Sequence, residues 1–262
     1  MSRKKKVFIT FLIIVVICLC TYLGMKTRYN NKINVTVLGK NGYVITTIQN
    51  NLIIVDGGDS NNVDNLKEII KEHNNLVTAW ITTSPESDRI GALSEIIKNE
   101  NSEIQINNIL HNLNYKDEWF NKLNLSEQEK EKMKTNIETI TLGKYREQTT
   151  EMGRRAEYYF DNFYITPLEI NDTNSNELSD QRAILKIDNT FKNVILFNGV
   201  DEKNANIFLE NDKDQFDVEA ILFNGGKETK NEIRQKIEKE VKPKIAENED
   251  TEENSKSALE IW

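Results

Sequence analysis

The first third of the chain alternates short apolar runs with polar turn residues, a pattern typical of β-strands. Three such runs, INVTVLG, YVITTIQ and NLIIVDGG, are separated by Asn41-Gly42 and Asn50-Asn51, and both pairs suit tight hairpin turns. Apolar residues at helical spacing in residues 63–70 then predict a helix, and LVTAWITT predicts a buried strand. The pattern therefore indicates hairpins that pass into helix–strand units.

The rest of the chain mixes both kinds of element. Ile90, Leu93, Ile96 and Ile97 predict one helix face, whereas residues 115–138 are mostly charged and predict a helical insertion on the surface. The other segments are the strands EIQINNIL and AEYYFDNFYITPL, a hairpin of RAILKI and NVILFNG, a helix KNANIFLEN, a strand VEAILFNGG, and a helix with the stripe Ile233, Ile237 and Val241. Because strands and helices mix throughout, we predict an α/β fold of layered sheets covered by helices.

The N-terminus has the composition of a membrane anchor. Four basic residues, 3–6, precede about 18 uncharged residues, close to the ~20 that span a bilayer. The basic cluster predicts a single-pass protein of the cell membrane, with a cytoplasmic N-terminus and an extracellular C-terminal domain. A cleaved signal peptide and a lipoprotein are the alternatives. The apolar run is long for the first, and large residues precede Cys18 and Cys20 where the second needs a small one.

These features divide the chain into predicted parts. They are a cytoplasmic basic tail 1–6, a transmembrane signal-anchor 7–25, a juxtamembrane linker 26–32, a folded domain 33–245 with the insertion at about 115–138, and an acidic polar tail 246–262. The whole chain carries a net charge of −8, and the part after residue 25, with 30 basic and 42 acidic residues, carries −12. So acidic a domain is not expected to bind nucleic acid. Both cysteines lie in the anchor, so no disulfide is expected in the outer domain.

Four segments carry a family resemblance. NLIIVDGG, ITTSPESDRIGAL, NVILFNGV and EAILFNGG resemble, in order and spacing, the motifs of the metallo-β-lactamase superfamily. The likeness is greatest to the β-lactamase-like domains of bacterial DNA-uptake (competence) channel proteins. Asp56-Gly57-Gly58 matches the family's Asp-Gly-Gly, and Thr83, Asp88, Gly91 and Leu93 match its Thr-His-x-His-x-Asp-His-x-Gly-Gly motif and the position after it. The resemblance implies an αββα sandwich of two mixed sheets flanked by helices over roughly residues 33–245.

The metal-binding histidines of that family are replaced in this sequence. Where the resemblance places ligands, the chain has Ser84, Glu86 and Arg89, and only Asp88 keeps a ligand type. The family's Gly-Asp ligand corresponds to Gly199-Val200 with Asp201 one residue late, and its His-His-Gly turn corresponds to Asn224-Gly225-Gly226. His73 and His111 match no ligand position, and no serine has a histidine placed to activate it.

Arg89 is the replacement with the largest physical consequence. A guanidinium stays protonated and offers no acceptor, so it cannot bind a metal. At ~4 Å and an effective dielectric near ~20, it repels a divalent ion by about 8 kcal/mol. We therefore expect no metal and no cofactor. The residues expected to line the degenerate pocket are Asp56, Ser84, Glu86, Asp88, Arg89, Asn198, Asp201 and Asn224.

Two interpretations of this motif stay open. In one, Arg89 pairs with Asp88 or Asp56 and neutralises the emptied pocket. In the other, Ser84 is merely a helix N-cap, Pro85 fits the first turn, and acidic residues favour the helix N-terminus.

Three classes of function follow. The favoured one is a membrane-anchored pseudoenzyme that binds an unknown protein or a small polar ligand. The second is a phosphodiesterase-like hydrolase with a rebuilt carboxylate site of Asp56, Glu86, Asp88 and Asp201, whose oxygen ligands would suit magnesium or manganese. The third is an accessory factor in DNA uptake, which the negative charge disfavours.

Overall fold

The bounds of the elements come from a computed structural model. It describes residues 12–24, 33–39, 41–47, 51–99, 101–113, 116–160, 163–169, 178, 182–189, 192–224, 231–248 and 258–261. The helices are α1 (12–24), α2 (Val63–Glu72), α3 (Ser87–Lys98), α4 (Asp117–Lys122), α5 (Glu127–Leu142), α6 (Glu202–Asn211) and α7 (Asn231–Val241). The strands are β1 (Ile33–Val37), β2 (Gly42–Thr46), β3 (Leu52–Asp56), β4 (Leu76–Val77), β5 (Ala79–Thr82), β6 (Gln105–Ile106), β7 (Ile109–His111), β8 (Thr149–Glu151), β9 (Tyr158–Phe160), β10 (Phe163–Glu169), β11 (Ile184–Asp188), β12 (Asn193–Asn198), β13 (Ala220–Asn224), β14 (Ile245–Asn248) and β15 (Ala258–Ile261).

Two mixed sheets form the centre of the fold. The first has the strand order β15-β1-β2-β3-β5-β7-β8, and the second has the order β14-β13-β12-β11-β10-β9. In the first sheet β15, β1, β2 and β3 pair antiparallel, while β3, β5, β7 and β8 pair parallel. In the second, β12, β13 and β14 are parallel and the rest antiparallel. The predicted hairpins β1–β2 and β11–β12 are thus confirmed.

Alternation along the strands sorts the apolar side chains into separate cores. Ile53 and Val55 of β3 face a core that both sheets share, together with Val194 and Leu196 of β12. The intervening Ile54 packs with α2, α3 and α5 on the outer face of the first sheet. The outer face of the second sheet packs with α6 and α7. Since successive side chains of a strand point to opposite faces, buried strands between two helical layers are apolar throughout. The layers therefore fit the predicted αββα sandwich.

The segment predicted as a helical surface insertion is helical, but one face of it is buried against the core. It forms α4 and α5, and Trp119, Phe120, Met133 and Ile137 are buried. A narrow apolar stripe in a largely charged helix is enough to seat it against α3, with which α5 packs. Three predicted strands are each divided in the structure, into β4 and β5, into β6 and β7, and into β9 and β10. The predicted polar tail contains two strands. β15 pairs with β1 at the edge of the first sheet, and β14, most of which lies in the tail, pairs with β13 at the edge of the second.

The described part of the predicted anchor is the helix α1, whose large apolar side chains are exposed. Residues 1–11 and 25–32 of the predicted tail, anchor and linker lie outside the described residues. Among the described helices, none combines the length and apolar character required to cross a bilayer. Anchoring stays a prediction from the sequence.

Parallel strands bring polar residues to one edge of the sandwich. Asp56, Thr82 and His111 end the parallel strands β3, β5 and β7. Asn198 and Asn224 end the parallel strands β12 and β13 of the other sheet. Because the carboxyl ends of parallel strands share an edge, residues distant in sequence meet there.

The Asp-Gly-Gly turn after β3 seats helix α3 at this edge. Gly57 has φ of +113°, and a Cβ there would lie 2.9 Å from Trp80 Cζ2. The carbonyl of Gly58 accepts a hydrogen bond from the Ala92 amide of α3 at 3.1 Å. A Cβ on Gly91 would lie 3.1 Å from the Ser60 amide nitrogen, so a small residue lets α3 approach the turn closely. The glycines matched in the motif therefore fix the position of α3.

We expect Gly57→Ala to lower the free energy of unfolding by about 1–3 kcal/mol, because it adds backbone strain and a contact with the Trp80 ring. Gly153→Ala is the matched control, since its Cβ would meet only Ala156 Cβ at 3.4 Å. Urea unfolding of both variants measures the difference. Equal losses in the two variants would contradict the role assigned to the turn.

Candidate functional site

Asp56 forms the buried end of the site. Its backbone is left-handed, with φ of +60°, and its side chain is fully buried. The Thr83 amide and the Thr83 hydroxyl each donate a hydrogen bond to its carboxylate at 2.6 Å, and the Asn198 amide donates a third. Its carbonyl accepts a bond from Trp80 Nε1 at 2.6 Å. A left-handed backbone at a non-glycine residue is strained, and it persists only where its surroundings hold it in place. At Asp56, these four hydrogen bonds hold it.

Arg89 joins Asp56 to Glu86. Its side chain is fully buried, Nη1 lies 3.6 Å from Asp56 Oδ2, and Nε donates to Glu86 Oε2 at 2.8 Å. Of the two partners predicted for Arg89, Asp56 forms an ion pair with it and Asp88 lies within reach of its charge. Glu86 is a further partner. Burial makes both carboxylate contacts strong, since water screens them little.

A second arginine, Arg182, also binds the Glu86 carboxylate, a contact that was not predicted from the sequence. Its Nε donates to Glu86 Oε2 at 2.8 Å and its Nη2 donates to Glu86 Oε1 at 2.7 Å, which is a two-pronged contact. Its Nη1 donates to the carbonyl of Gly199, beyond β12. The only sequence signal was an arginine at the start of the buried run RAILKI.

Glu86 is thus surrounded by donors. Besides the two arginines, the Ser84 hydroxyl donates to Glu86 Oε2 at 2.8 Å. Burial alone would raise the pKa of Glu86, but the Arg89 and Arg182 charges and hydrogen bonds outweigh burial and lower that pKa to about 2. Glu86 is therefore ionised at any physiological pH.

Asp56 responds to the same surroundings in the opposite direction. Burial raises the pKa of Asp56 to about 6, although the Arg89 charge and the hydrogen bonds from Thr83 and Asn198 oppose that rise. Above that pH two carboxylates, Asp56 and Glu86, balance two guanidinium groups, so the core of the site is electrically neutral.

The other predicted site residues lie around this core and take separate partners. Asp88 accepts a hydrogen bond from the Asn41 side chain at 2.9 Å, and burial raises its pKa. Asn224 donates to the carbonyl of Gly42 at 3.0 Å. Asp201 caps helix α6 by accepting a bond from the Asn204 amide at 2.8 Å. The structure therefore brings Asp56, Ser84, Glu86, Arg89 and Asn198 into one network, with Asp88 beside it.

The interpretation of Ser84 as a helix N-cap is wrong. Helix α3 begins at Ser87 with Glu86 as its N-cap residue, and Pro85 lies before the first turn. Ser84 is fully buried and its hydroxyl is directed at the Glu86 side chain. Ser84 and Glu86 of the motif therefore belong to the arginine network.

An open cleft of about 300 Å³ adjoins the network. It is lined by Asp59, Glu86, Ser87, Asp88, Leu125, Glu129, Lys132, Met133 and Leu178. Glu86 has 12% of its side chain exposed, while Arg89 has 0% and Arg182 has 8%. Glu86 is therefore the member of the network that reaches this cleft.

The donor set does not fit the metal ions of the resembled family. The oxygens of Asp56 and Glu86 are used by guanidinium, hydroxyl and amide donors, and two cations stand among them. The described residues contain no group of three His, Cys, Asp or Glu arranged to hold an ion. His111 is buried at the end of β7, burial lowers its pKa to about 4, and its Nδ1 accepts a bond from the Leu113 amide at 3.3 Å.

The chain is similar to several solved structures, two of which are described as a metallo-β-lactamase fold protein and a metallo-β-lactamase. The metallo-β-lactamase fold protein YhfI from Bacillus subtilis is 13% identical to this chain. The match covers 88% of this chain and 99% of that protein, with a TM-score of 0.48. A diphosphatase of the PhnP family is 9% identical, with 88% and 98% covered and a TM-score of 0.48. A metallo-β-lactamase from Staphylococcus aureus is 11% identical, with 77% of this chain and 58% of that protein covered and a TM-score of 0.47.

Two of these solved structures, YhfI and the Staphylococcus aureus protein, carry the name of the superfamily that the motifs resemble. At such identities the likeness concerns the fold alone. No protein-family model matches the sequence, and no curated protein matches it. The loss of metal binding and the greater likeness to competence proteins stay predictions from the sequence.

We expect Arg89→Ala to lower the free energy of unfolding by about 3–5 kcal/mol, because it removes the cation that links two buried carboxylates. Arg146→Ala is the control, since Arg146 pairs with Glu147 on the surface and 65% of its side chain is exposed. Thermal and urea unfolding measure both losses. Equal melting temperatures for the two variants would contradict a structural role for Arg89.

Glu86 gives a pH dependence of known sign. Its folded pKa of about 2 lies below the ordinary 4.5, so its stabilising contribution is present above pH 4.5 and is lost as pH falls towards 2. Because a tenfold change in proton affinity corresponds to about 1.4 kcal/mol, that contribution is about 3 kcal/mol.

Glu86→Gln cannot titrate, so the difference in unfolding free energy between it and the wild type should shrink by about this amount between pH 5 and pH 2. Glu95→Gln, on the exposed face of the same helix, should show little change. If the difference in unfolding free energy between Glu86→Gln and the wild type did not depend on pH, the ionised state assigned to Glu86 between Arg89 and Arg182 would be refuted.

Proposed function

We propose that this protein is a membrane-anchored pseudoenzyme with the metallo-β-lactamase fold. In this proposal it binds a protein or a small polar ligand outside the membrane and carries out no metal-dependent hydrolysis. One observation supports the proposal above the rest, namely that both oxygens of Glu86 are held by Arg89 and Arg182 at 2.7–2.8 Å.

The chemistry of these donors supports a binding role. A metal-bound hydroxide is the nucleophile of the hydrolytic mechanism that the resemblance implies. Arginine can neither bind the metal nor take a proton from water, because its guanidinium stays protonated. The buried network instead leaves the cleft as the accessible part of the site, and a cleft with convergent polar groups is an ordinary place for a ligand.

The proposed location rests on sequence composition. Basic residues precede a long uncharged apolar run, an arrangement that favours a cytoplasmic N-terminus and an outer domain. The exposed apolar side chains of α1 suit a lipid environment.

A rebuilt hydrolase is the second candidate, because Asp88, an acid of the motif, lines the cleft beside Glu86. Asp88 is the partly exposed acid nearest to the network, and oxygen ligands suit magnesium or manganese. A role in DNA uptake gains no support from a cleft lined by four acidic residues and one lysine.

Metal analysis and hydrolysis assays separate the two candidates. We expect the full chain, purified without chelator or histidine tag, to hold far less than one zinc, magnesium or manganese ion per molecule. We also expect no turnover of a chromogenic phosphodiester with any of these ions. Stoichiometric metal, with turnover that Asp88→Ala abolishes and Asp64→Ala leaves intact, would establish the hydrolase instead.

A further inference from the structure

The donors around Glu86 have the composition of an anion-binding site. Arg89 Nε, Arg182 Nε, Arg182 Nη2 and Ser84 Oγ all point at one carboxylate, at 2.7–2.8 Å. Both arginine side chains are more than nine-tenths buried. Charged donors that are buried and directed in advance bind a carboxylate strongly and with defined geometry.

We propose that Arg89, Arg182 and Ser84 form a binding site for a carboxylate group, and that Glu86 is the tethered occupant of this site. A ligand carrying a carboxylate would enter from the cleft and take the place of the Glu86 side chain. The proposal deepens the binding role proposed above and rests on it for its functional meaning.

The position of Glu86 supports displacement as the route of binding. Its side chain lines the cleft, whereas Arg89 and Arg182 are not among the lining residues. The two arginines are also held by other elements. Arg182 Nη1 is bound to the carbonyl of Gly199, and Arg89 contacts Asp56. These donors are therefore held in place by contacts that do not involve Glu86.

Competition with Glu86 sets the expected order of affinities. A tethered carboxylate has an effective concentration in the millimolar range or above. An external carboxylate should therefore bind the wild-type protein more weakly than a variant that lacks the Glu86 carboxylate. A Glu86→Ala side chain lacks two carbons and two oxygens, which are the heavy atoms of acetate, so acetate is the matched probe.

The test measures the melting temperature of full-length Glu86→Ala in buffer with chelator, against increasing sodium acetate. We expect the melting temperature to rise saturably and to recover most of the loss caused by the substitution. Sodium chloride at equal ionic strength and neutral acetamide should have no such effect. Phosphate is a further arm, since stronger rescue by phosphate than by acetate would overturn the assignment to a carboxylate.

Two control variants isolate the site. Glu86→Gln keeps the site filled and should not respond to acetate, and Glu95→Ala removes an exposed carboxylate from the same helix and should also not respond. Adding Arg182→Ala to Glu86→Ala should abolish the response.

A Glu86→Ala chain that folds only with acetate would support the proposal, and one that no anion stabilises would overturn it. Chelation keeps this outcome separate from the metal analysis, which tests the pseudoenzyme role.

Discussion

The site depends on the ion pairs that Arg89 and Arg182 form with the Glu86 carboxylate. They bind the N-terminal end of α3 to the start of β11 and, through the Gly199 carbonyl, to the turn after β12. The same Arg89 reaches Asp56 at the end of β3. One set of charges thus ties the two sheets together at the edge where a metal centre would do so in the resembled family.

The backbone at this edge is held by contacts of its own. The Asp-Gly-Gly turn and Gly91 bring α3 close to the first sheet, and parallel strands end together beside them. None of these features requires a metal ion, because hydrogen bonds from Thr83, Trp80 and Asn198 hold Asp56. The scaffold can therefore keep its geometry while the chemistry of its side chains changes.

The sequence predicted what is local and missed what is distant. Hairpins, strands and the α3 face follow from periodicity, since residues close in the chain decide them. Glu86 and Arg89 are three residues apart, so their association was within reach of the motif. Arg182 is 96 residues from Glu86, and nothing near it in the chain marks it as a partner. Asp201 was assigned to the pocket by likeness alone, and the structure shows its side chain capping α6. The α5 stripe was hidden by the charges around it.

The separation of the partners along the chain has a kinetic meaning. Asp56 meets Asn198 across 142 positions, and Glu86 meets Arg182 across 96. Closing such long loops costs entropy before any contact forms. Both sheets must be aligned before Arg182 reaches Glu86 and Asn198 reaches Asp56, so we expect these two contacts to form late in folding. Until then these groups remain hydrated. In a partly folded intermediate, the N-terminal end of α3 would not yet be attached to the second sheet.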